Sequence, residues 1–173
     1  RRGEVYYYWE KLDEATENLE VAITLNPRDS DSYELLGLTY YFQDEPTLAV
    51  KFFSQAIELQ PEHETAYINR ANAHSDLGNV SAAFEDFLMA FTIDPTNAQA
   101  YFHRGNLLLH ADQYQDAVDD YSKAIEIDPD VAQYYLNRAQ AFLKIDEEDL
   151  ALKDYLLAMS FECFSGHIRV RCR

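Results

Sequence analysis

Cysteine is scarce in this sequence, and the two residues of this type, Cys163 and Cys172, both lie close to its end. Two cysteines in this position do not form the disulfide framework of a small secreted domain, so a reducing compartment is the default. Glycine and proline are also rare, with five residues of each among 173. This composition leaves no room for linkers or low-complexity segments, and a chain that is 47% hydrophobic can build a continuous core.

Basic residues are outnumbered, because 14 lysines and arginines stand against 31 aspartates and glutamates, for a net charge of −17. A phosphate backbone would repel such a chain, so we do not expect it to bind nucleic acid, and a basic or neutral protein partner is favoured. No apolar run approaches the ~20 residues that span a bilayer, and no signal peptide is visible. We therefore expect a cytoplasmic protein that is not secreted and does not bind a membrane. The nucleus, the cytoskeleton and the cilium are the alternative locations.

Four of the five prolines recur every 34 positions, at Pro27, Pro61, Pro95 and Pro129. Each complete 34-residue unit reads as two amphipathic helices joined by a short turn and ends at one of these prolines. The proline ends the second helix, because the residue before a proline is disfavoured in the helical conformation. In residues 99–129 the turn is expected near positions 111–113. Small, large and aromatic residues keep the same period, at Ala15, Ala49, Ala83, Ala117 and Ala151; Leu19, Phe53, Phe87, Tyr121 and Tyr155; and Tyr33, Tyr67, Tyr101 and Tyr135.

This helix-turn-helix pattern resembles the tetratricopeptide repeat family, whose repeats have the same length. The resemblance extends from Gly3 to about Cys163 and implies an all-α superhelix, a solenoid of about five repeats. We place the repeats at residues 1–29, 30–63, 64–97, 98–131 and 132–163. The first repeat is expected to be truncated by about five residues before Arg1. Residues 164–173 are expected to form a C-terminal extension or a truncated sixth repeat.

Three arginines occupy equivalent places on the buried face of the first helix in the third, fourth and fifth repeats. A buried charge is costly unless it is paired, and the equivalent places on the second helices hold aspartates. In the second repeat the same two places hold Leu36 and Phe52, so the charges occur together or not at all. We therefore predict three ion pairs within repeats, in preference to a site for an anionic ligand: Arg70 with Asp86, Arg104 with Asp120, and Arg138 with Asp154.

The first helices of stacked helical pairs line the concave face of a solenoid, and this face is where such proteins bind their ligands. In the third, fourth and fifth repeats the inward places are nearly uncharged, although the chain is strongly acidic. Acidic residues must therefore lie mainly on the second helices and the turns. The candidate peptide-binding residues on the concave face are Thr65, Ile68, Asn69 and Asn72; Gln99, Phe102, His103 and Asn106; and Gln133, Leu136, Asn137 and Gln140.

Asparagine recurs on this face although it lowers the stability of a helix interior. A side-chain amide has both a donor and an acceptor, so a row of amides can hold the backbone of an extended peptide, with the three apolar residues of the set as side-chain pockets. The row resembles the asparagine ladder in the tetratricopeptide superhelix of O-linked N-acetylglucosamine transferase, with Asn69 and Asn137 at the matching place and His103 interrupting it. A solvated polar face, or one buried by another part of a longer protein, is the alternative.

One function of the family is disfavoured by the charges on the same face. Tetratricopeptide domains that clamp the C-terminal carboxylate of heat-shock chaperones carry lysine, asparagine and arginine at defined places. In the second to fourth repeats those places hold Glu34, Leu38, Asn69, Gln99 and His103, so only the central asparagine matches. Chaperone-tail binding of this type is therefore not expected.

The sequence does not predict an enzyme or a cofactor. No serine or cysteine nucleophile lies in a recognisable motif, and scattered helix histidines are usually structural or solvated. His103 with His110, or Cys163 with His167 and Cys172, would form at most an incomplete set of metal ligands at irregular spacing.

The function predicted from these observations is a protein–protein interaction scaffold that binds a peptide segment of its partner in the concave groove. Two alternatives remain open at this point. In the first, the chain is the substrate-presenting arm of a larger enzyme whose catalytic domain lies elsewhere. In the second, it is an architectural spacer in a multiprotein assembly.

Overall fold

The computed structural model describes the backbone of residues 2–164 and the side chains of residues 11–161. This part of the chain contains helices and short loops and no strand, so the prediction of an all-α fold is confirmed. Its helices are α1 (Arg2–Leu25), α2 (Ser30–Phe42), α3 (Pro46–Leu59), α4 (Glu64–Asp76), α5 (Val80–Ile93), α6 (Ala98–His110), α7 (Tyr114–Ile127), α8 (Ala132–Lys144) and α9 (Glu148–Phe164). The predicted extension beyond Phe164, and the cysteine and histidine side chains considered there as metal ligands, lie outside the described residues.

The helices form two compact units, with the boundary between Asp94 and Pro95. The N-terminal unit contains α1–α5, and the C-terminal unit contains α6–α9. Within each unit every helix packs on the next one along the chain. The first helices of consecutive repeats also touch, α2 on α4 in the N-terminal unit and α6 on α8 in the C-terminal unit. Each unit therefore has its own pair of adjacent first helices, the elements on which the sequence places the candidate site.

The turn between the two helices of a repeat places one residue in the left-handed region of backbone space. Gly78 has φ 73°, and Asp44, Asp112 and Asp146 at the equivalent places have φ of 61°, 59° and 62°. Glycine adopts this conformation at no steric cost, and aspartate tolerates it better than most residues. The turn predicted at positions 111–113 is present, because α6 ends at His110 and α7 begins at Tyr114.

The core of each repeat is a large side chain of the second helix set against a small residue of the first. Phe53 and Tyr121 are completely buried. A Cβ atom on Gly37 would lie 2.6 Å from the ring of Phe53, and one on Gly105 would lie 2.7 Å from the ring of Tyr121. These distances are too short for a methyl group, so the close approach of the paired helices depends on glycine at these two places.

The three arginines singled out in the sequence contact their three aspartates. In each pair, Nε and Nη2 of the arginine donate to the two carboxylate oxygens, at N···O distances of 2.6–2.9 Å. The aspartate side chains are only 3–8% exposed. In the fourth repeat the hydrogen bonds from Arg104 to Asp120 raise the pKa of the arginine, so its charge is held in place by its partner. These two-point contacts join the two helices of each repeat.

Two of these arginines also reach the preceding repeat in their own unit. Arg70 Nη1 donates to Ser54 Oγ at 2.9 Å in the N-terminal unit, and Arg138 Nη1 donates to Ser122 Oγ at 3.0 Å in the C-terminal unit. Each serine hydroxyl in turn donates to a backbone carbonyl of its own helix. One guanidinium group therefore ties three helices together.

Candidate functional site

An open cleft lies in the C-terminal unit, at the beginning of α6 and α8 and beside the loop that joins α7 to α8. We call it the α6–α8 cleft. Its volume is about 500 Å³. It is lined by Thr96, Asn97, Ala98, Gln99, Phe102, His103, Ile127, Asp128, Val131, Gln133 and Tyr134.

Aromatic rings form the apolar part of the α6–α8 cleft. The ring centroid of Phe102 lies 5.0 Å from that of Tyr134 and 5.4 Å from that of His103. Tyr134 is buried, whereas Phe102 is partly exposed and packs on the cluster around Ala98, Ala124 and Tyr134. Phe102 is therefore held by its neighbours while part of its ring faces the cleft.

The polar groups of the cleft are an exposed carboxylate, a neutral imidazole and side-chain amides. Burial raises the pKa of the Tyr134 hydroxyl, and the nearby negative charge of Asp128 raises it further. Burial lowers the pKa of His103, so its imidazole is neutral at pH 7. Asp128 is the one formally charged residue among the lining side chains, and no described residue pairs with its carboxylate. The cleft consequently has an acidic rim and an aromatic wall.

A chain of amide hydrogen bonds begins at Gln133 in the cleft and joins α8 to α6. Gln133 Nε2 donates to Asn137 Oδ1 at 2.6 Å, and Asn137 Nδ2 donates to Asn106 Oδ1 at 2.7 Å. The buried hydroxyl of Tyr121 donates to the same oxygen of Asn106 at 2.8 Å. Burial raises the pKa of Tyr121, which keeps this donor protonated. Asn106 thus satisfies a core hydroxyl and joins α6 to α8.

The candidate residues of the N-terminal unit are less accessible to a ligand. Thr65 is exposed and Asn72 is partly buried. Ile68 is 6% exposed, so its side chain belongs to the core and offers little surface to a ligand. Asn69 Nδ2 donates to Glu34 Oε1 on α2 at 3.0 Å. These contacts stabilise the packing of α2 on α4.

A buried histidine lies close to the same carboxylate. His63 Nε2 is 3.7 Å from Glu34 Oε2 and 3.3 Å from Asp31 Oδ1, but it has no hydrogen bond of acceptable geometry. The other ring nitrogen, Nδ1, lies 3.2 Å from Thr65 Oγ1. The beginning of α4 therefore faces two acidic side chains of α2.

The structure brings together one part of the predicted set and separates another. Gln99, Phe102, His103 and Gln133 all line the α6–α8 cleft. The remaining four predicted residues of the C-terminal unit lie farther along α6 and α8. Of these, Asn106, Leu136 and Asn137 are partly buried and Gln140 is exposed.

Sequence reasoning missed Tyr134 and the loop residues of the cleft. A signal for Tyr134 was present, because the equivalent places in the other repeats hold the small residues Ser32, Ala66 and Ala100. Ile127 and Asp128 gave no such signal, since they end a second helix and reach the cleft only through the course of the α7–α8 loop.

The described part of the chain does not show a metal site or a membrane span. Within it, no group of three or more His, Cys, Asp and Glu side chains is arranged to hold a metal ion. None of its helices combines the length and the hydrophobicity that crossing a membrane requires.

Comparisons with known proteins identify the repeats. Two family models described as tetratricopeptide repeat match the chain, one at residues 98–131 and the other at residues 30–63 and 64–97. Together the matches cover residues 30–131, which is more than half of the sequence. No curated protein matches the chain significantly by sequence.

Solved structures share the fold at low sequence identity. A crystal structure of MamA has a TM-score of 0.80 and 21% identity, covering 91% of this chain and 92% of that one. MamA from Desulfovibrio magneticus RS-1, residues 41 to the end, has a TM-score of 0.79 and 17% identity over 95% and 94% of the two chains. A chain in the crystal structure of the APC/C hetero-tetramer Cut9–Hcn1 has a TM-score of 0.79 and 16% identity, covering 89% of this chain and 31% of that one.

Repeats of this type are scaffolds for protein–protein interaction, and the fold is typically non-catalytic. The period of the sequence, the helical pairs and the matching family models lead to one conclusion. The chain belongs to the tetratricopeptide repeat family.

Proposed function

We propose that this chain is a non-catalytic scaffold that holds an extended segment of a partner protein on the first helices of its repeats. The observation that carries the proposal is the α6–α8 cleft, an open cavity of about 500 Å³. Ligand sites are typically concave, with volumes of roughly 300–1,000 Å³, apolar walls and a few polar groups that fix orientation. The cleft has this combination on a helix pair that the family uses for binding.

The amide residues around the cleft divide into two roles in this proposal. The side chains of Gln99, Gln133 and Gln140 are exposed, and Gln133 donates one hydrogen bond to Asn137 but keeps its carbonyl oxygen, so all three can pair with the backbone of a bound segment. Asn106 and Asn137 are already hydrogen-bonded to each other. They hold α6 and α8 in register, so less ordering is left for the binding step.

The comparisons support a protein as the partner of this chain. One structural relative is part of an assembly of two different proteins, the Cut9–Hcn1 hetero-tetramer. The net charge of −17 favours a basic or neutral partner for this chain. The scarcity of cysteine favours the cytoplasm as the compartment in which the chain meets its partner.

Selection of peptides from a random library on the immobilised 173-residue chain tests the proposal. The affinity of the selected peptides is then measured for a variant with Gln99, Gln133 and Gln140 changed to alanine. Loss of three amide contacts, each worth about 0.5–1.5 kcal/mol, should weaken binding by about tenfold or more.

The control variant changes three exposed residues of second helices, Gln115, Asp119 and Lys153, to alanine, which leaves the net charge the same. It should bind the selected peptides within about twofold of the wild type, because none of these three side chains lines the α6–α8 cleft. Equal binding by both variants, or failure to select any peptide, would refute the proposed function.

A further inference from the structure

We propose that the α6–α8 cleft is a pocket for one arginine side chain of the bound segment. This inference rests on the proposed function and names the residue that the cleft selects. It is carried by the juxtaposition of the Asp128 carboxylate with the aromatic wall of Phe102 and Tyr134 in a cavity of about 500 Å³.

Charge complementarity indicates a cation. Asp128 is the one formally charged lining residue, it is exposed, and no described residue forms an ion pair with it. No lysine or arginine lines the described cleft, so an incoming cation meets no like charge there. Asp130, two residues farther along the same loop, is exposed and adds to the negative potential at the rim. His103 does not oppose this field, because its imidazole is neutral at pH 7.

The shape and composition of the wall favour a guanidinium group over an ammonium group. Arginine is planar, stacks on aromatic faces and is weakly hydrated, whereas lysine is a compact and strongly hydrated charge. Its apolar stem would lie along Ile127 and Val131, which line the cleft beside Phe102. A carboxylate at the rim can then accept two hydrogen bonds from the head group.

The chain uses the same chemistry internally. The guanidinium carbon of Arg138 lies 5.7 Å from the ring centroid of Tyr135, and the head group donates twice to Asp154. Arg70 repeats the arrangement with Tyr67 and Asp86. The cleft offers an aromatic wall and an aspartate in the same way, but the arginine must come from another molecule.

A small probe tests the pocket without knowledge of the partner. N-acetyl-arginine amide is titrated into the ¹⁵N-labelled chain, and backbone amide shifts are followed by NMR. N-acetyl-citrulline amide, which has nearly the same shape without the charge, and N-acetyl-lysine amide are titrated in parallel. We expect the arginine probe to shift signals of residues 96–103 and 127–134 and to bind at least fivefold more tightly than either of the other probes.

Two variants of the α7–α8 loop test whether the Asp128 carboxylate is the group that binds the arginine probe. Asp128→Asn should reduce binding of the arginine probe to the level of the citrulline probe. Asp130→Asn removes the same charge from an exposed residue that does not line the cleft, and should change binding less than twofold. Neither change removes a hydrogen bond of the described fold.

The results also separate this inference from the proposed function. Equal binding of arginine and citrulline, tighter binding of lysine, shifts outside the cleft, or equal effects of both variants would overturn the arginine pocket. Selected peptides that bind the first helices without a basic residue, and bind Asp128→Asn equally well, would overturn it while the proposed function stands. Binding of the arginine probe in the cleft with no peptide selected would refute the proposed function and leave the pocket in place.

Discussion

Replacing the Arg138–Asp154 ion pair with the apolar pair of the second repeat tests what these buried charges contribute. Asp154 is 3% exposed and Arg138 is 19% exposed, so the pair lies largely out of water. The equivalent places in the second repeat hold Leu36, which is buried, and Phe52, which stacks on Tyr40 at a centroid distance of 5.2 Å. The change therefore copies a solution that the chain already contains.

The expected free energies follow from desolvation. Asp154→Asn leaves the guanidinium buried without its charged partner and should destabilise the chain by roughly 3–5 kcal/mol. The double variant R138L/D154F removes both charges, and its new phenylalanine faces Phe142, which occupies the place of Tyr40 in the second repeat. Ser122 keeps its hydrogen bond to the carbonyl of Val118. We expect the double variant to lose less than about 2 kcal/mol.

Urea unfolding followed by far-UV circular dichroism measures both variants. With an m-value of about 2 kcal/mol/M, the single change should lower the unfolding midpoint by about 1.5–2.5 M, and the double change by less than about 1 M. A single variant within about 1 kcal/mol of the wild type would show that the charge is not effectively buried. A double variant as unstable as the single one would show that the pair itself is strongly stabilising.

Three further predictions concern a hydrogen bond, a turn and a titration. Asn106→Ala removes the acceptor of the buried Tyr121 hydroxyl and should cost about 1–3 kcal/mol in urea unfolding, and Tyr121→Phe in the same background should recover part of this loss. Gly78→Asp should fold with little change, because aspartate occupies the same left-handed place in three other turns, whereas Gly78→Val should cost about 1–2 kcal/mol. The folded-state pKa of His103 is lowered by burial, so its contribution to stability is complete above the ordinary pKa of about 6.5 and is lost as the pH falls below it. The wild type should therefore lose stability from pH 7.5 to 5 more steeply than His103→Gln.

Each of these expectations has a clear contrary result. Tyr121→Phe that adds to the loss from Asn106→Ala, in place of relieving it, would mean that the hydroxyl does not depend on this acceptor. Equal destabilisation by aspartate and valine at Gly78 would mean that the loss comes from a steric clash of the added side chain and not from the left-handed backbone conformation. The structure argues against such a clash, because no atom lies within 4 Å of an added Cβ. Parallel pH profiles for His103→Gln and the wild type would mean that this imidazole titrates as it does in water.

The repeat pattern allowed the helices and their internal contacts to be predicted closely. A period of 34 residues gives equivalent positions similar environments, and the arginine and the aspartate occur together in three repeats and are both absent from the second. This joint occurrence is why contact between Arg104 and Asp120 was expected.

The candidate site was less predictable, because it depends on departures from the period. A side-chain amide on a first helix can face a ligand or another amide, and the sequence does not distinguish the two. In the structure Asn106 Oδ1 accepts hydrogen bonds from both Asn137 and the buried hydroxyl of Tyr121, so this amide faces the protein and not a ligand. The cleft itself exists where Tyr134 replaces a small residue and where the α7–α8 loop places Asp128 beside it.

The serine contacts of Arg70 and Arg138 bear on how cooperatively each unit unfolds. The stability of a repeat protein is approximately the sum of an intrinsic term for each repeat and a coupling term for each interface. The aspartate contact lies within one repeat and belongs to the first term, whereas the contact with Ser54 or Ser122 crosses to the previous repeat and belongs to the second. One guanidinium group contributes to both terms, so a repeat that opens breaks its bond to its neighbour at the same time. Ser122→Ala weakens the coupling between neighbouring repeats, so the urea unfolding transition of the C-terminal unit should become clearly broader while its midpoint changes little.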